Sequence, residues 1–215
     1  MKILVVVVVY DRFKNLETWL KCWKICNKEN SELIIIHNYK NNIDRNIYST
    51  LCISNNITYI PRLNVGMDIG ALQDIFRGRL ENFPNQWDYI LWVADDTLPM
   101  SKTFISLYKE EMKKINRGVV CLEISKEFKL HIRTTGFMID QLTASKITFP
   151  VNNILTKEHC WQFEHKSIDS FLEQVNKLGN KVMQIHPQLN QSCLWDTHSR
   201  SSLNRWEEHY KEFTQ

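Results

Sequence analysis

The run "KILVVVVVYDR" at residues 2–12 constrains the fold more than any other stretch of the chain. Valine and isoleucine are β-branched and stiff at χ1, which suits a pleated strand better than a helix. No polar residue alternates with them over 3–9, so the strand must bury both faces. A central strand of a parallel sheet meets that demand. A lysine before an apolar run also fits a signal peptide. Here Asp11, Arg12 and Lys14 follow at once, and no small-residue cleavage site comes after them. No other apolar stretch approaches the roughly 20 residues of a membrane-spanning helix.

The rest of the chain alternates in the same style. Leu16, Trp19, Leu20 and Trp23 recur at i, i+3, i+4 and i+7, one face of a helix, with Asn15 as its expected cap and Glu17–Lys21 as a supporting pair. "ELIIIHN" reads as a second buried strand ending near Asn38, and "ITYIP" as a short third, closed by Pro61. "NVGMDIGALQDIFRG" is a glycine-containing loop that enters a helix through Leu72, Ile75 and Phe76, and "DYILWVA" is a fourth strand. "SKTFISLYKEEMKKI" predicts a helix, with Gly118 as its stop. "VVCLEI", "IRTTGFMID" and "KVMQIHP" predict further strands. Ser167 is the expected cap of a helix over "IDSFLEQVNKL", closed by Gly179, and "LNRWEEHYKEF" reads as a final helix. Strand–helix alternation from the first residue predicts an α/β fold: a mostly parallel central sheet flanked by helices, in one domain over 1–215.

Charge and cysteine usage narrow the functional classes. The net charge of +3 is small and the basic residues are scattered, so no nucleic-acid partner is expected. The six cysteines form no CxxC pair and no regular framework. Cys22 and Cys26 sit one helical turn apart, yet buried, reduced thiols are the plainer reading, and the expected setting is a reducing one, the cytoplasm.

"WDYILWVADDTLP" at 87–99 raises the functional question, because a buried strand ends on two adjacent carboxylates, Asp95 and Asp96. A turn needs one aspartate, not two. A Walker B strand would also end on an acid, but the chain has no GxxxxGK[ST]. A dinucleotide fold needs GxGxxG after the first strand, where this chain has "YDRFKN". A metal-bound diphosphate answers better. Mg²⁺ and Mn²⁺ favour carboxylate oxygens, and an ion clamped between acids and phosphates stabilises a departing diphosphate without a phosphate-binding loop.

Six features in order then carry a resemblance: a strand ending in "VVYDR", the "IIIHN" strand, the "NVGMDIGAL" loop, "ILWVADDT", "SIDSFLEQVNKLG" and a late histidine in "LWDTHSRSS". Over residues 2–200 or so the chain resembles a glycosyltransferase of the GT-A fold, in the family-2-like branch that includes small transferase domains of large algal viruses. The resemblance implies a nucleotide-binding half over about 1–100 and an acceptor half over about 101–215. Tyr10 and Arg12 would lie near the base and ribose, Asn38 near the base, and Asp68 at the ribose or donor sugar. Gly66 and Gly70 would let backbone approach the donor. "ADD" stands where the family has DxD, with Ala94 in place of the first acid. Asp96 would bind the metal, and Asp95 the ribose or the metal through water.

His186 and His198 are the candidates to complete the metal site. The polar setting of His198 favours it, with Arg200 beside it for a phosphate. Asp169, before a helix, matches the place of the general base, with Glu164 in reserve. Thr134, Thr135 and Gly136 would lie beside the donor sugar, and Trp161, Phe163 and Trp195 are candidates to stack on sugar rings, whereas Trp19 and Trp23 are expected in the core. The implied activity is transfer of a hexosyl or deoxyhexosyl group from a nucleoside-diphosphate sugar, a UDP-sugar first, to a glycan hydroxyl, with Mn²⁺ or Mg²⁺. A sugar-phosphate nucleotidyltransferase and a non-catalytic nucleotide-sugar-binding domain are the alternatives. A viral chain would work in the host cytoplasm, and the sequence leaves open whether the domain is part of a longer protein.

Overall fold

The computed structural model describes residues 1–185 and 194–196. In chain order its first half is β1 (Ile3–Val9), α1 (Phe13–Ile25), β2 (Ser31–Tyr39), α2 (Asn42–Ser54), β3 (Thr58–Leu63), α3 (Met67–Phe76), β4 (Tyr89–Ala94) and β5 (Thr97–Pro99). The second half is α4 (Phe104–Ile115), β6 (Gly118–Cys121), β7 (Ile124–Ser125), β8 (His131–Ile132), β9 (Gly136–Asp140), α5 (Gln141–Ala144), α6 (Lys157–Trp161), a π-helix (Gln162–Lys166), α7 (Phe171–Lys177), β10 (Lys181–Gln184) and β11 (Leu194–Asp196).

A seven-stranded sheet in the order β10-β6-β9-β4-β1-β2-β3 forms the centre. β1 pairs in parallel with β2 and β4, β2 with β3, and β10 with β6; β9 alone runs antiparallel, between β4 and β6. The unbroken apolar run of β1 is explained by its central place. Ile3, Val5, Val7 and Val9 pack with Trp19, Phe104 and Tyr108 on one face of the sheet. Leu4, Val6 and Val8 pack with Leu72, Phe137 and Phe171 on the other. Each such burial stabilises the fold by about 1.5–3 kcal/mol per side chain. Trp19 and Trp23 are core residues as expected, and the indole N–H of Trp19 donates to the Thr97 carbonyl at 2.8 Å.

The structure corrects several local readings. α1 begins two residues before Asn15, after Arg12, and the Asn15 amide donates instead to the Asp95 carbonyl at 2.8 Å. α4 is ended by Asn116 at φ 65°, not by Gly118. Gly118 opens β6 at φ 132°, where an added Cβ would stand 1.9 Å from the Lys181 carbonyl oxygen. Ser167 follows the π-helix rather than leading a helix; α7 starts later, after Ser170, while Gly179 does follow it at φ 70°. α2 has no counterpart in the sequence reading. It buries only Tyr48 and Cys52 and leaves Ile43, Ile47 and Ile53 exposed, so its apolar pattern points to no single face. The expected tail helix, His186, His198 and Arg200 lie outside the described residues, as does the side chain of Trp195.

Candidate functional site

The chain builds the sheet in one direction from β1 through β2 to β3, then returns to place β4 on the other side of β1. The carboxyl ends of β1 and β4 are therefore the point where strand order reverses, and open α/β sheets bind ligands at that point. Tyr10 and Arg12 follow β1; Asp95 and Asp96 follow β4, in the turn before β5. A cleft of about 290 Å³ opens there, lined by Tyr10, Arg12, Asn64, Asp68, Asp95 and Asp96 among others. A groove at the far end of β4, around Phe76, Phe83 and Trp87, carries no charged side chain.

The two acids do different work. Asp95 is buried. Its Oδ2 accepts from the Tyr10 backbone N–H at 3.0 Å and its Oδ1 from Arg12 Nη1 at 2.7 Å. With Asn15 on its carbonyl, Asp95 clamps the loop after β1 to the end of β4. The same Arg12 nitrogen lies 3.1 Å from Asp96 Oδ2. One guanidinium thus offsets the repulsion of both carboxylates. Burial works against the charge on Arg12, but Asp95 and Asp96 outweigh it and hold the pKa above the ordinary value.

Asp68 sits in the first turn of α3, on the floor of the cleft. Burial, and next the negative charge of Glu164, push its pKa up to about 7; Asp96 adds to the rise. Glu164 comes from the π-helix and accepts a hydrogen bond from the Thr134 hydroxyl. Thr135, the next residue, receives the Ala94 N–H on its carbonyl at 3.0 Å, which ties this segment to the end of β4. Asp68 thus shares the cleft with Asp95 and Asp96, and Thr135 ties the segment that carries the Thr134–Glu164 pair to Ala94. π-Helical turns recur at functional sites.

Other candidates are placed differently. Asn38 lines the cleft, but its amide is spent within the protein: it donates to the Met67 carbonyl at 2.9 Å and accepts from Arg62 at 3.0 Å. Arg62, which the sequence reading missed, also bonds Asp74 at 2.7 Å and the Val65 carbonyl at 2.6 Å, pinning the loop that leads into α3. Only its place two residues before "NVG" could have drawn notice, and an arginine there gives no sign of its partners. Crowding at Gly66 and Gly70 comes from the protein. A Cβ at Gly66 would stand 2.0 Å from the Ile154 carbonyl oxygen, and one at Gly70 2.4 Å from that of Val65.

Phe163 is fully buried between Phe149 and Phe171, so it cannot stack on a sugar. Trp161 is half-buried and carries Lys157 and Lys166 over its ring at 5.0 and 4.4 Å. Asp169 is exposed and paired with Lys177. The five described cysteines are buried and free.

No family model matches this sequence, and no curated protein does. Solved structures do. The mannosyltransferase PcManGT from Pyrobaculum calidifontis, in complex with GDP-Man and Mn²⁺, matches with a TM-score of 0.60 and 9% identity, over 99% of this chain and 61% of that one. The fold is of the GT-A type. Glucosyl-3-phosphoglycerate synthase from Mycobacterium tuberculosis, in complex with phosphoglyceric acid, shares it with a TM-score of 0.55 and 8% identity, over 99% and 77% of the two chains. S. aureus TarS 1-349 matches with a TM-score of 0.51 and 13% identity, over 74% and 53%. This chain therefore spans about three-fifths of the mannosyltransferase and half of TarS 1-349. At such identities the likeness is one of fold.

The residues at this GT-A cleft fit a divalent cation held jointly with a ligand. Asp95 and Asp96 already share a cation in Arg12, and Asp68 is driven toward its neutral form by burial and surrounding negative charge. Among the described residues no three His, Cys, Asp or Glu side chains are grouped to hold an ion unaided. Mg²⁺-type sites commonly use one or two carboxylates and complete the shell with substrate phosphates and water.

Proposed function

We propose that the protein is a glycosyltransferase that moves a sugar from a nucleoside-diphosphate sugar to a hydroxyl of a glycan. The observation that carries the reading is the juxtaposition of Arg12, Asp95, Asp96 and Asp68 at the β1/β4 reversal of this fold. Tyr10, which exposes its ring beside Lys40, and Arg12 form the mouth where base, ribose and diphosphate would lie. Asn38 and Arg62 would hold the loop before α3 in shape rather than touch the base. The donor expected from the sequence is a UDP-sugar; the mannosyltransferase of like fold was solved with GDP-Man, so both nucleotides belong in the test. The viral reading rests on the sequence resemblance alone.

A divalent ion bound at Asp96, with His198 as the expected further ligand, would neutralise charge on the departing diphosphate. The chain's own groups do the rest. Glu164, positioned by the Thr134 hydroxyl and with its charge felt by Asp68, would accept the acceptor hydroxyl's proton. The hydroxyl oxygen then bonds the anomeric carbon from the face opposite the leaving group. The bond from that carbon to the diphosphate breaks, and its electron pair leaves with the phosphate oxygen, inverting the centre. Asp169 is the second candidate base; its exposure and its pair with Lys177 count against it.

Calorimetric titration of UDP and GDP with Mn²⁺, and again with EDTA, tests the reading. Wild type is expected to bind one of them in a metal-dependent way, and Asp96→Asn to lose at least tenfold in affinity, a loss of about 1.4 kcal/mol. Glu164→Gln is expected to keep nucleotide binding and lose about 10²-fold or more in transfer rate. If Asp169→Asn produces that split instead, the base is Asp169. Nucleotide binding without any sugar transfer would favour the non-catalytic alternative, and no binding of UDP, GDP or dTDP sinks the proposal.

A further inference from the structure

Arg12 holds the place of a cation. A single nitrogen, Nη1, lies 2.7 Å from Asp95 Oδ1 and 3.1 Å from Asp96 Oδ2. Asp95 has anchors besides Arg12. Asp95 keeps its hydrogen bond from the Tyr10 N–H whether or not Arg12 stays, and its own carbonyl is tied to Asn15. Arg12 is the least anchored member: its side chain is 49% exposed, against 8% for Asp95 and 15% for Asp96. It sits at the start of α1, on the rim of the cleft, where it can turn toward a ligand without uncovering the core. A guanidinium matches phosphate oxygens at least as well as it matches a carboxylate.

We propose that Arg12 and a divalent cation exclude one another at Asp96, and that Arg12 passes to the diphosphate when the cation arrives. This inference rests on the nucleotide-sugar reading of the cleft. Two consequences follow from charge alone. Without nucleotide, Arg12 competes for Asp96, and divalent cations bind weakly. With nucleotide, the phosphates draw Arg12 away and supply oxygens in its stead, so cation and nucleotide strengthen each other by the same factor. Arg12 is then a diphosphate ligand and a guard on Asp96, rather than a contact to the base or ribose.

The test measures Mn²⁺ binding by the loss of the free-ion electron paramagnetic resonance signal, in wild type, Arg12→Gln and Arg12→Lys, each without nucleotide and with UDP or GDP. Wild type is expected to bind Mn²⁺ weakly alone and roughly tenfold more tightly, or better, with nucleotide, within the usual range of coupling between sites. Arg12→Gln removes the competing charge. It is expected to bind Mn²⁺ alone several-fold more tightly than wild type, and to show a smaller nucleotide effect. Arg12→Lys restores a positive charge and is expected to fall back toward wild type. If Arg12→Gln binds Mn²⁺ alone no better than wild type, the competition does not exist and the proposal is overturned. The nucleotide-free arm alone decides that point. Failure of the nucleotide-sugar reading is separate, and appears as wild type that binds neither nucleotide with Mn²⁺ present.

Discussion

Asp68 is the residue whose environment departs furthest from the ordinary in the cleft. Its folded pKa is about 7, against 3.8 for an unperturbed side chain. Between those values the folded protein holds a proton that the unfolded chain has lost. Asp68 therefore costs stability that grows as pH rises through this window. His37 acts with the opposite sign. Burial lowers its pKa from 6.5 to about 4, so the unfolded chain takes up a proton there that the native ring refuses. Its effect is a loss of stability as pH falls through that range. Urea unfolding of wild type and Asp68→Asn at several pH values separates the two. The variant is expected to gain on wild type steadily from about pH 4 to pH 7 and to keep the acid-side loss owed to His37. A constant difference across that range would mean that Asp68 titrates like an exposed acid.

Among elements, the sheet edge depends on one glycine. Gly118 brings β6 beside β10, and its φ of 132° with the Lys181 carbonyl only 1.9 Å from any Cβ leaves no room for a side chain. Gly118→Ala is expected to destabilise the fold by about 2 kcal/mol or more, read as a lower denaturant midpoint at unchanged slope. The sequence marked this glycine as important but assigned it to the wrong element, because Asn116 had taken the turn that ends α4.

That pattern recurs. Elements with strong periodicity were legible: β1 from its unbroken run, α1 from Trp19 and Trp23, β4 from "YILWVA". α2 was not, because only Tyr48 and Cys52 turn inward. The site was legible where a residue type is unusual in its place, as with Asp95 beside Asp96. It was not legible where the meaning lies in long-range partners. Nothing local says that Arg12 bridges both acids, that Asn38 is spent on Met67 and Arg62, or that the charge of Glu164 helps to raise the pKa of Asp68. The second acid suggested a metal as the compensating cation; in the structure that role falls first to an arginine 83 residues from Asp95.

At the scale of the whole molecule, the sheet reverses at β1/β4 and the loops after those strands, with the start of α3, line one cleft, while the described helices include none long and apolar enough to cross a membrane. The central claim is that this cleft holds the diphosphate and its cation. The most direct measurement is paramagnetic broadening of backbone amide signals in ¹⁵N-labelled protein, titrated with substoichiometric Mn²⁺ in the presence of UDP or GDP. The amides of Arg12, Asp68, Asp95 and Asp96 are expected to broaden first, while those of Phe83, Trp87 and Gln141, at the opposite groove, stay sharp. Broadening centred on any other surface, or spread evenly over the chain, would contradict the account.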